Sequence, residues 1–411
     1  MRLLLSQAAE VRLGRQRAPQ YEVGDHQVRY LRSANVVDGR LDLSDVKSMN
    51  FTPAEQAIFA VEPGDVLMTE GSGSAETVGT SAVWQDQLPP PVCFQNTLLR
   101  LRPRTGVTDG RYLAWWARHA HGSGQIAAVS SGANIQHLGS DGLKRLQIDV
   151  PPLVDQRRIA DFLDDRVARI DRIIAARQSQ LESNREHLRS VVEKVFDGHV
   201  ERVRASRVMR VLPGFAFPSD EFSHDDGDVP LLRGINVGVG SLRWDDIVYW
   251  PHERLSEVQG FLLSEGDVVL GMDRPWIGGG LRIAQLDRSD GRPLLLQRVA
   301  KLSSDGYLSP RFIFWAYQSE QFRQQVESDL TGLSVPHLSG DQILSYQIPA
   351  LSRSDQRWAT DRLDAAQSAV SSASQLLVRS IALLAEYKQS LITAAVTGEF
   401  DVTTAGSGIP V

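Results

Sequence analysis

Apolar side chains recur at every seventh position along two long stretches of this 411-residue chain. In the first, Ala160, Val167, Ile174, Leu181, Leu188 and Val195 form one row. Leu163, Ile170 and Val191 form a second row, with Arg177 and Asn184 in its remaining places. In the second stretch Leu363, Val370, Leu377, Leu384 and Leu391 make the clean row, beside Thr360, Gln367, Ser374, Ile381 and Lys388. A seven-residue repeat puts its apolar members on one side of a helix. No Pro or Gly falls between Pro152 and Gly198. The first stretch therefore predicts a helix of about 40 residues, roughly 60 Å long at ~1.5 Å per residue. Either stripe alone would stay wet, so the two helices are expected to pack on each other, antiparallel. Arg177 and Asn184 within an apolar row predict control of register.

Before each long stretch the pattern shortens to β-rich runs and turns. Strands are expected at 65–69 and 78–84, across a Gly/Ser-rich turn at 70–76. Further on, 267–271 and 281–286 repeat this across a loop through Gly278, Gly279 and Gly280. Helices with aromatic residues are expected at 111–119 and 311–320, and closing strands at 147–151 and 346–349.

These parallels are an internal repeat. Leu31-Arg32-Ser33-Ala34-Asn35-Val36 returns as Leu232-Arg233-Gly234-Ile235-Asn236-Val237, and Gly64-Asp65-Val66 as Gly266-Asp267-Val268. Gln95 is matched with Gln297, Arg111-Tyr112-Leu113 with Arg311-Phe312-Ile313, and His137-Leu138 with His337-Leu338. Asp155-Gln156-Arg157 returns as Asp355-Gln356-Arg357, and the offset stays between 200 and 202. The predicted fold is α+β. Two tandem modules, each a small mixed β-sheet plus helices, are separated by two long helices packed as an antiparallel coiled coil. The expected boundaries are a module at 1–152, a helix at 153–200, a module at 201–351, a helix at 352–402 and a tail at 403–411.

Composition narrows the function classes. Hydrophobic residues make up 42% and charged residues 23%, as in ordinary soluble proteins. The lone Cys93 excludes an internal disulfide and a CxxC zinc site and fits a reducing cytosol. The apolar run Leu3 to Leu5 is too short for a signal peptide. No stretch is read as approaching the ~18 apolar residues of a membrane span, so a cytoplasmic protein is expected. The net charge of −6 means that any nucleic-acid site is a local patch. No Gly-Lys dipeptide, GxGxxG, HExxH or GxSxG occurs, so no signature of phosphate-loop, dinucleotide, zinc-protease or serine-hydrolase chemistry is present.

The repeated segments resemble the specificity subunit of type I restriction–modification systems, over nearly the whole chain. The resemblance rests on Pro151-Pro152-Leu153 with Asp155-Gln156-Arg157-Arg158-Ile159-Ala160, and on Lys388-Gln389-Ser390-Leu391-Ile392-Thr393-Ala394-Ala395-Val396-Thr397-Gly398-Glu399. The segment 62–71 and Gly271-Met272-Asp273-Arg274-Pro275 add to it. Two features depart from the family: its N-terminal segment is almost missing, and Ala350-Leu351-Ser352 replaces the second Pro-Pro-Leu. The resemblance implies a non-catalytic chain whose two modules are target-recognition domains, each reading half of a bipartite double-stranded DNA site. It implies an asymmetric site with an unread spacer. The long helices would dock two modification (methyltransferase) subunits, with restriction subunits as further partners and no membrane. No cofactor is expected in this chain; S-adenosylmethionine, ATP and Mg belong on the partners. The alternative is a coiled-coil scaffold without sequence-specific DNA binding, which the acidic second module favours: 205–350 holds 13 basic against 19 acidic residues.

Base-reading residues are expected to be Arg, Lys, Asn, Gln, Ser or Thr on loops and hairpin tips. The candidates are Thr69, Ser72, Ser74 and Thr77 in one Gly-rich loop, and Arg274 with Trp276 in the other. For these, a plain hairpin with a polar tip is the alternative. Arg15, Gln16 and Arg17 form a basic loop, or else a solvated surface. Arg32 with Asn35, and Arg233 with Asn236, recur in both copies, which suits a shared structural role as well as DNA contact. Lys144 and Arg145 are candidates for phosphate contact. Gln95-Asn96 and Gln297-Arg298 face either DNA or core. His137 and His337 are expected to be structural, and Trp115 and Trp116 to be core.

Overall fold

The structure, a computed structural model, describes residues 1–72, 77–131, 136–196, 201–278, 280–330 and 336–402. The chain folds as two compact units, one of residues 1–178 with 378–411 and the other of residues 179–377.

In the first unit a four-stranded antiparallel sheet runs in the order Ala9–Leu13, Leu98–Pro103, Val66–Thr69, Ser81–Val83. A second sheet sets Gln27–Leu31 between Val92–Phe94, which is parallel to it, and Lys47–Asn50, which is antiparallel. Arg2–Leu4 pairs with Gln147–Asp149. The helix Gly110–Gly122 starts at Asp109, whose carboxylate accepts from the Arg111 and Tyr112 amides, and it buries Tyr112, Leu113, Trp115 and Trp116. The second unit repeats the plan. Its four-stranded sheet is Arg210–Pro213, Val299–Ser303, Val268–Gly271, Ile283–Gln285. Its three-stranded sheet centres on Val229–Leu232, and Arg202–Arg204 pairs with Gln347–Pro349.

The recurring residues hold this shared frame. Gly64 and Gly266 take left-handed φ of +90° and +88° before the same strand, where a side chain would be strained. The aspartate after each glycine accepts a basic side chain: Arg102 Nε reaches Asp65 at 2.9 Å, and Lys301 Nζ reaches Asp267 at 2.7 Å. Asn35 accepts from the Arg32 amide and donates to the carbonyls of Asp42 and Asp45. Asn236 does the same with Arg233, Arg243 and Asp246. Buried Gln156 accepts from the Asp109 amide and donates to the Val107 and Pro151 carbonyls. Gln356 repeats all three bonds at Ser309, Tyr307 and Leu351. The indoles of Trp115 and Trp315 donate to Asp164 and Asp364. Trp115 and Trp116, expected from the sequence to be core, are both buried.

The long helices are Leu153–Phe196 and Arg353–Thr397. Within the first unit Phe162 meets Phe400 while Asp171 meets Lys388, so the two helices run antiparallel. Their rows interlock there: Ile159, Ala160, Leu163 and Val167 share a core with Ile392, Ala395 and Val396. Within the second unit Val192 and Phe196 share a core with Leu363 and Phe312. Asn184 Nδ2 donates to Ser374 Oγ at 3.4 Å, which fits the register role read for Asn184. Arg353–Thr397 is long and weakly charged enough to pass as a membrane span by length and composition. Its ends are nevertheless built into packed cores, which marks it as a bundle helix.

Several expectations are corrected. Each unit takes part of both long helices, so the helices are not segments apart from the modules. The helix expected at 311–320 is two, Pro310–Ala316 and Glu320–Leu330. The strand expected at 281–286 breaks at Arg282, which turns inward to the carbonyls of Val237 and Asp273. The match of Gln95 with Gln297 is one residue out. The amides of Asn96 and Gln297 make the equivalent bonds, to the carbonyls of Arg15 and Phe215. Ser352 takes the place that Pro152 holds in the first copy, one residue off the sequence alignment, and its hydroxyl caps the second helix by accepting from the Asp355 amide. The expected tail 403–411 lies outside the described residues.

Candidate nucleic-acid interface

The sequence candidates divide by burial. Arg15 is 7% exposed and is no loop cation. Its guanidinium donates to the Asn50 carbonyl, pairs with Glu55 at 2.8 Å and lies over the rings of Tyr21 and Phe51. Asn35, Asn236 and Thr69 are also buried. The two asparagines pin turns, and the Thr69 hydroxyl bonds that of Thr80. These four are framework, not ligand-facing groups, because their polar atoms are already used inside the fold.

Other candidates reach the surface. Arg17 and Arg32 line one cleft of about 470 Å³ in the first unit, with Lys47, Tyr30, Gln95 and Glu22. Arg17 pairs with Glu22 at 2.8 Å, and Arg32 and Lys47 each reach Asp45 at 2.6 Å. The Lys47 ammonium, backed by Arg32, holds the exposed Asp45 carboxyl below the usual range. Three cations over two carboxylates leave this cleft net basic. Gln16, next to Arg17, and Thr77 are exposed but outside that lining. Lys144 pairs with Asp141 on its own helix, and Arg145 is exposed beside it. Ser74 and the side chain of Ser72 lie outside the described residues.

The equivalent face of the second unit has different chemistry. The strand bonds that place Arg15 place Phe215, so Phe217 stands where Arg17 does. Phe217 is buried against Trp250, at 4.9 Å between ring centroids. Arg233 pairs with Asp246 at 2.8 Å, as Arg32 does with Asp45, but buried Phe217 replaces the second cation there. Exposed charge gathers at another corner instead. Arg274, a sequence candidate, sits there at φ +44° beside Arg298 at φ +69°. Arg298 Nη1 reaches Asp273 at 2.9 Å, and His337 Nδ1 reaches the other oxygen at 2.6 Å. Burial disfavours the Asp273 anion, but His337 and Arg298 outweigh it and lower its pKa. Trp276 is half-buried and lines a cleft of about 650 Å³ with Trp315, Arg185, Arg243 and Arg323.

Sequence reasoning missed Lys47, left Arg298 open, and read His337 as structural, which its bond to Asp273 fits. Of the recurring residues, Asn35 and Asn236 are frame, while Arg32 lines the cleft. The useful signal was the positions that differ inside the recurring segments. Among the described residues no three His, Cys, Asp or Glu side chains gather as a metal site.

Residues 42–183 match the family described as "Type I restriction modification DNA specificity domain". The MjaVIII specificity subunit of Methanocaldococcus jannaschii is 24% identical over 342 residues, covering 78% of this chain and 76% of that one. Over most of its length the chain is thus similar to type I restriction–modification specificity subunits. The EcoAI specificity subunit of Escherichia coli is 33% identical over 165 residues, 40% of this chain and 28% of that one. A solved chain from work on assembly and conformational transition of the type I R-M system matches with a TM-score of 0.75 at 15% identity. That match covers 97% of this chain and 98% of that chain. The HsdS subunit from Thermoanaerobacter tengcongensis matches with a TM-score of 0.50 at 16% identity, with 97% of each chain covered. These likenesses agree with the two-module α+β fold.

Proposed function

We propose that this specificity subunit reads an asymmetric bipartite DNA site with an unread spacer, one half per unit, and docks methyltransferase subunits through its long helices. The observation that carries the reading is the contrast between frame and surface. Both units keep the same asparagine, glutamine and tryptophan bonds, yet one presents an Arg17–Arg32–Lys47 cleft and the other an Arg274–Arg298 corner. Two copies of one frame with different polar surfaces suit two different half-sites. Remaining sequence candidates, including Gln16, Thr77, Lys144 and Arg145, belong to this proposed contact set.

Large apolar side chains on the outer face of the second helix support docking. In the first unit these are Leu383 and Tyr387, and in the second Trp358 and Leu376, all of them exposed. On this reading S-adenosylmethionine, ATP and Mg sit on the partners, and the assembly works in the cytoplasm against foreign DNA.

The test is a map of N6-methyladenine after co-expression with a methyltransferase subunit of the same system. A split motif that disappears when this chain is omitted is the expected result. The scaffold reading draws on the acidic second module. It expects no split motif and DNA affinity without the steep salt dependence of phosphate contacts.

A further inference from the structure

Three segments of the second unit meet at one exposed corner: the end of the strand Val268–Gly271, the turn before Val299–Ser303, and Pro336–His337. Two arginines there hold left-handed φ, Arg274 at +44° and Arg298 at +69°. Among the described residues the one other non-glycine residue with positive φ is Asp86. Such a conformation is costly for a residue with a side chain, persists only where neighbours impose it, and gathers at functional sites. Here the neighbours are backbone bonds. The Arg274 amide donates to the Pro336 carbonyl at 2.8 Å, and the Arg298 carbonyl accepts from Met272 at 2.8 Å.

The strained backbone delivers one guanidinium in a fixed pose. Arg298 is 69% exposed at its side chain, but Nη1 is held on Asp273 Oδ2 at 2.9 Å. Asp273 is itself fixed. Its second oxygen bonds His337 Nδ1 at 2.6 Å, and its carbonyl accepts from Arg282 Nη1 at 2.8 Å. The Nε–Nη2 edge of Arg298 has no partner among the described residues. A free guanidinium edge of two parallel N–H donors matches the O6 and N7 acceptors of guanine in the major groove. The first unit has no counterpart. Thr97 stands at the position of Arg298, and its hydroxyl accepts from the Ser33 amide.

We propose that Arg298 reads a guanine in the half-site bound by the second unit, with Asp273 and His337 as its positioning residues. Arg274 at the adjacent turn meets the phosphate backbone. The proposal rests on the DNA-reading function above, and the test separates the two.

The subunit is co-expressed with its methyltransferase partner as wild type, R298A, R298K and D273N, and the methylated motif of each is mapped. Wild type returns a split motif with a guanine in the half-site of the second unit. R298A relaxes that one base pair, with preference for guanine falling roughly 5- to 150-fold, while the other half-site stays intact. R298K gives the same relaxation, because an ammonium keeps the charge but not the two-donor edge. D273N relaxes the same position by less. R298K also serves as the decisive variant should R298A fail to assemble. A motif unchanged in both arginine variants overturns the assignment while leaving the DNA-reading function standing. A wild type without any split motif overturns both.

Discussion

At the residue scale, burial decides which polar groups are free to act. His119 shows the consequence for pH. It is 6% exposed; Nε2 faces the Gln125 amide nitrogen at 3.2 Å and Nδ1 faces the Thr393 hydroxyl at 3.1 Å. The amide donates, so Nε2 accepts and Nδ1 carries the proton: the ring is neutral. Burial lowers its pKa below the usual 6.5, more than Glu399 and Asp149 raise it. In acid the unfolded chain then takes up a proton that the folded ring resists. Stability is fully present above about pH 6.5 and declines as pH falls through that value. Urea titrations between pH 7.5 and pH 5.5 are expected to show this loss, and H119Q is expected to flatten it. A slope unchanged by H119Q assigns the loss elsewhere.

Residue identity alone was a poor guide to role here. Arg15 and Arg17 are two positions apart and equally basic in sequence. Arg15 is folded under Tyr21 and Phe51, whereas Arg17 opens into a cleft. Which of them faces solvent depends on Asn50, Phe51 and Glu55, some 35 to 40 positions away. Local pattern carries no information about partners at that distance.

At the element scale, the seven-residue rows located both long helices well, and the antiparallel packing followed from the need to cover two stripes. The rows did not show where each helix would be used. The last turns of the second helix complete the core of the first unit: Ile392 is 1% exposed, Ala395 is fully buried, and Tyr112 reaches the Val396 carbonyl. I392A is therefore expected to destabilise the first unit by about 2–5 kcal/mol through lost burial and the cavity left behind. Hydrogen exchange resolved along the chain checks this. Protection should fall in Gly110–Gly122 and Leu98–Pro103, while Val268–Gly271 and Pro310–Ala316 keep theirs. Equal loss in both units would contradict the division of the cores.

At the scale of the whole molecule, the first unit is discontinuous in sequence, built from 1–178 and 378–411. A fragment of residues 1–178 alone leaves Ile159, Ala160, Leu163 and Val167 without Ile392, Ala395 and Val396. That fragment is expected to aggregate or to melt without a cooperative transition. Adding a separate 378–402 fragment is expected to restore a cooperative unit, checked by circular dichroism and calorimetry. Full stability of 1–178 by itself would show that the second helix is dispensable to this core.

The sequence by itself determined the duplication, the α+β class, the two long helices and the likeness to specificity subunits. Each of these is written in local pattern: periodic apolar positions, paired glycines and segments that recur at a nearly constant offset. The tertiary structure alone decided which arginines are structural, how the two helices are divided between the units, and where exposed charge collects. Those properties depend on burial and on partners supplied by distant segments. Arg298 illustrates this most directly. Its left-handed backbone and its hold on Asp273 exist only once Met272, Asp273 and His337 have been folded against it.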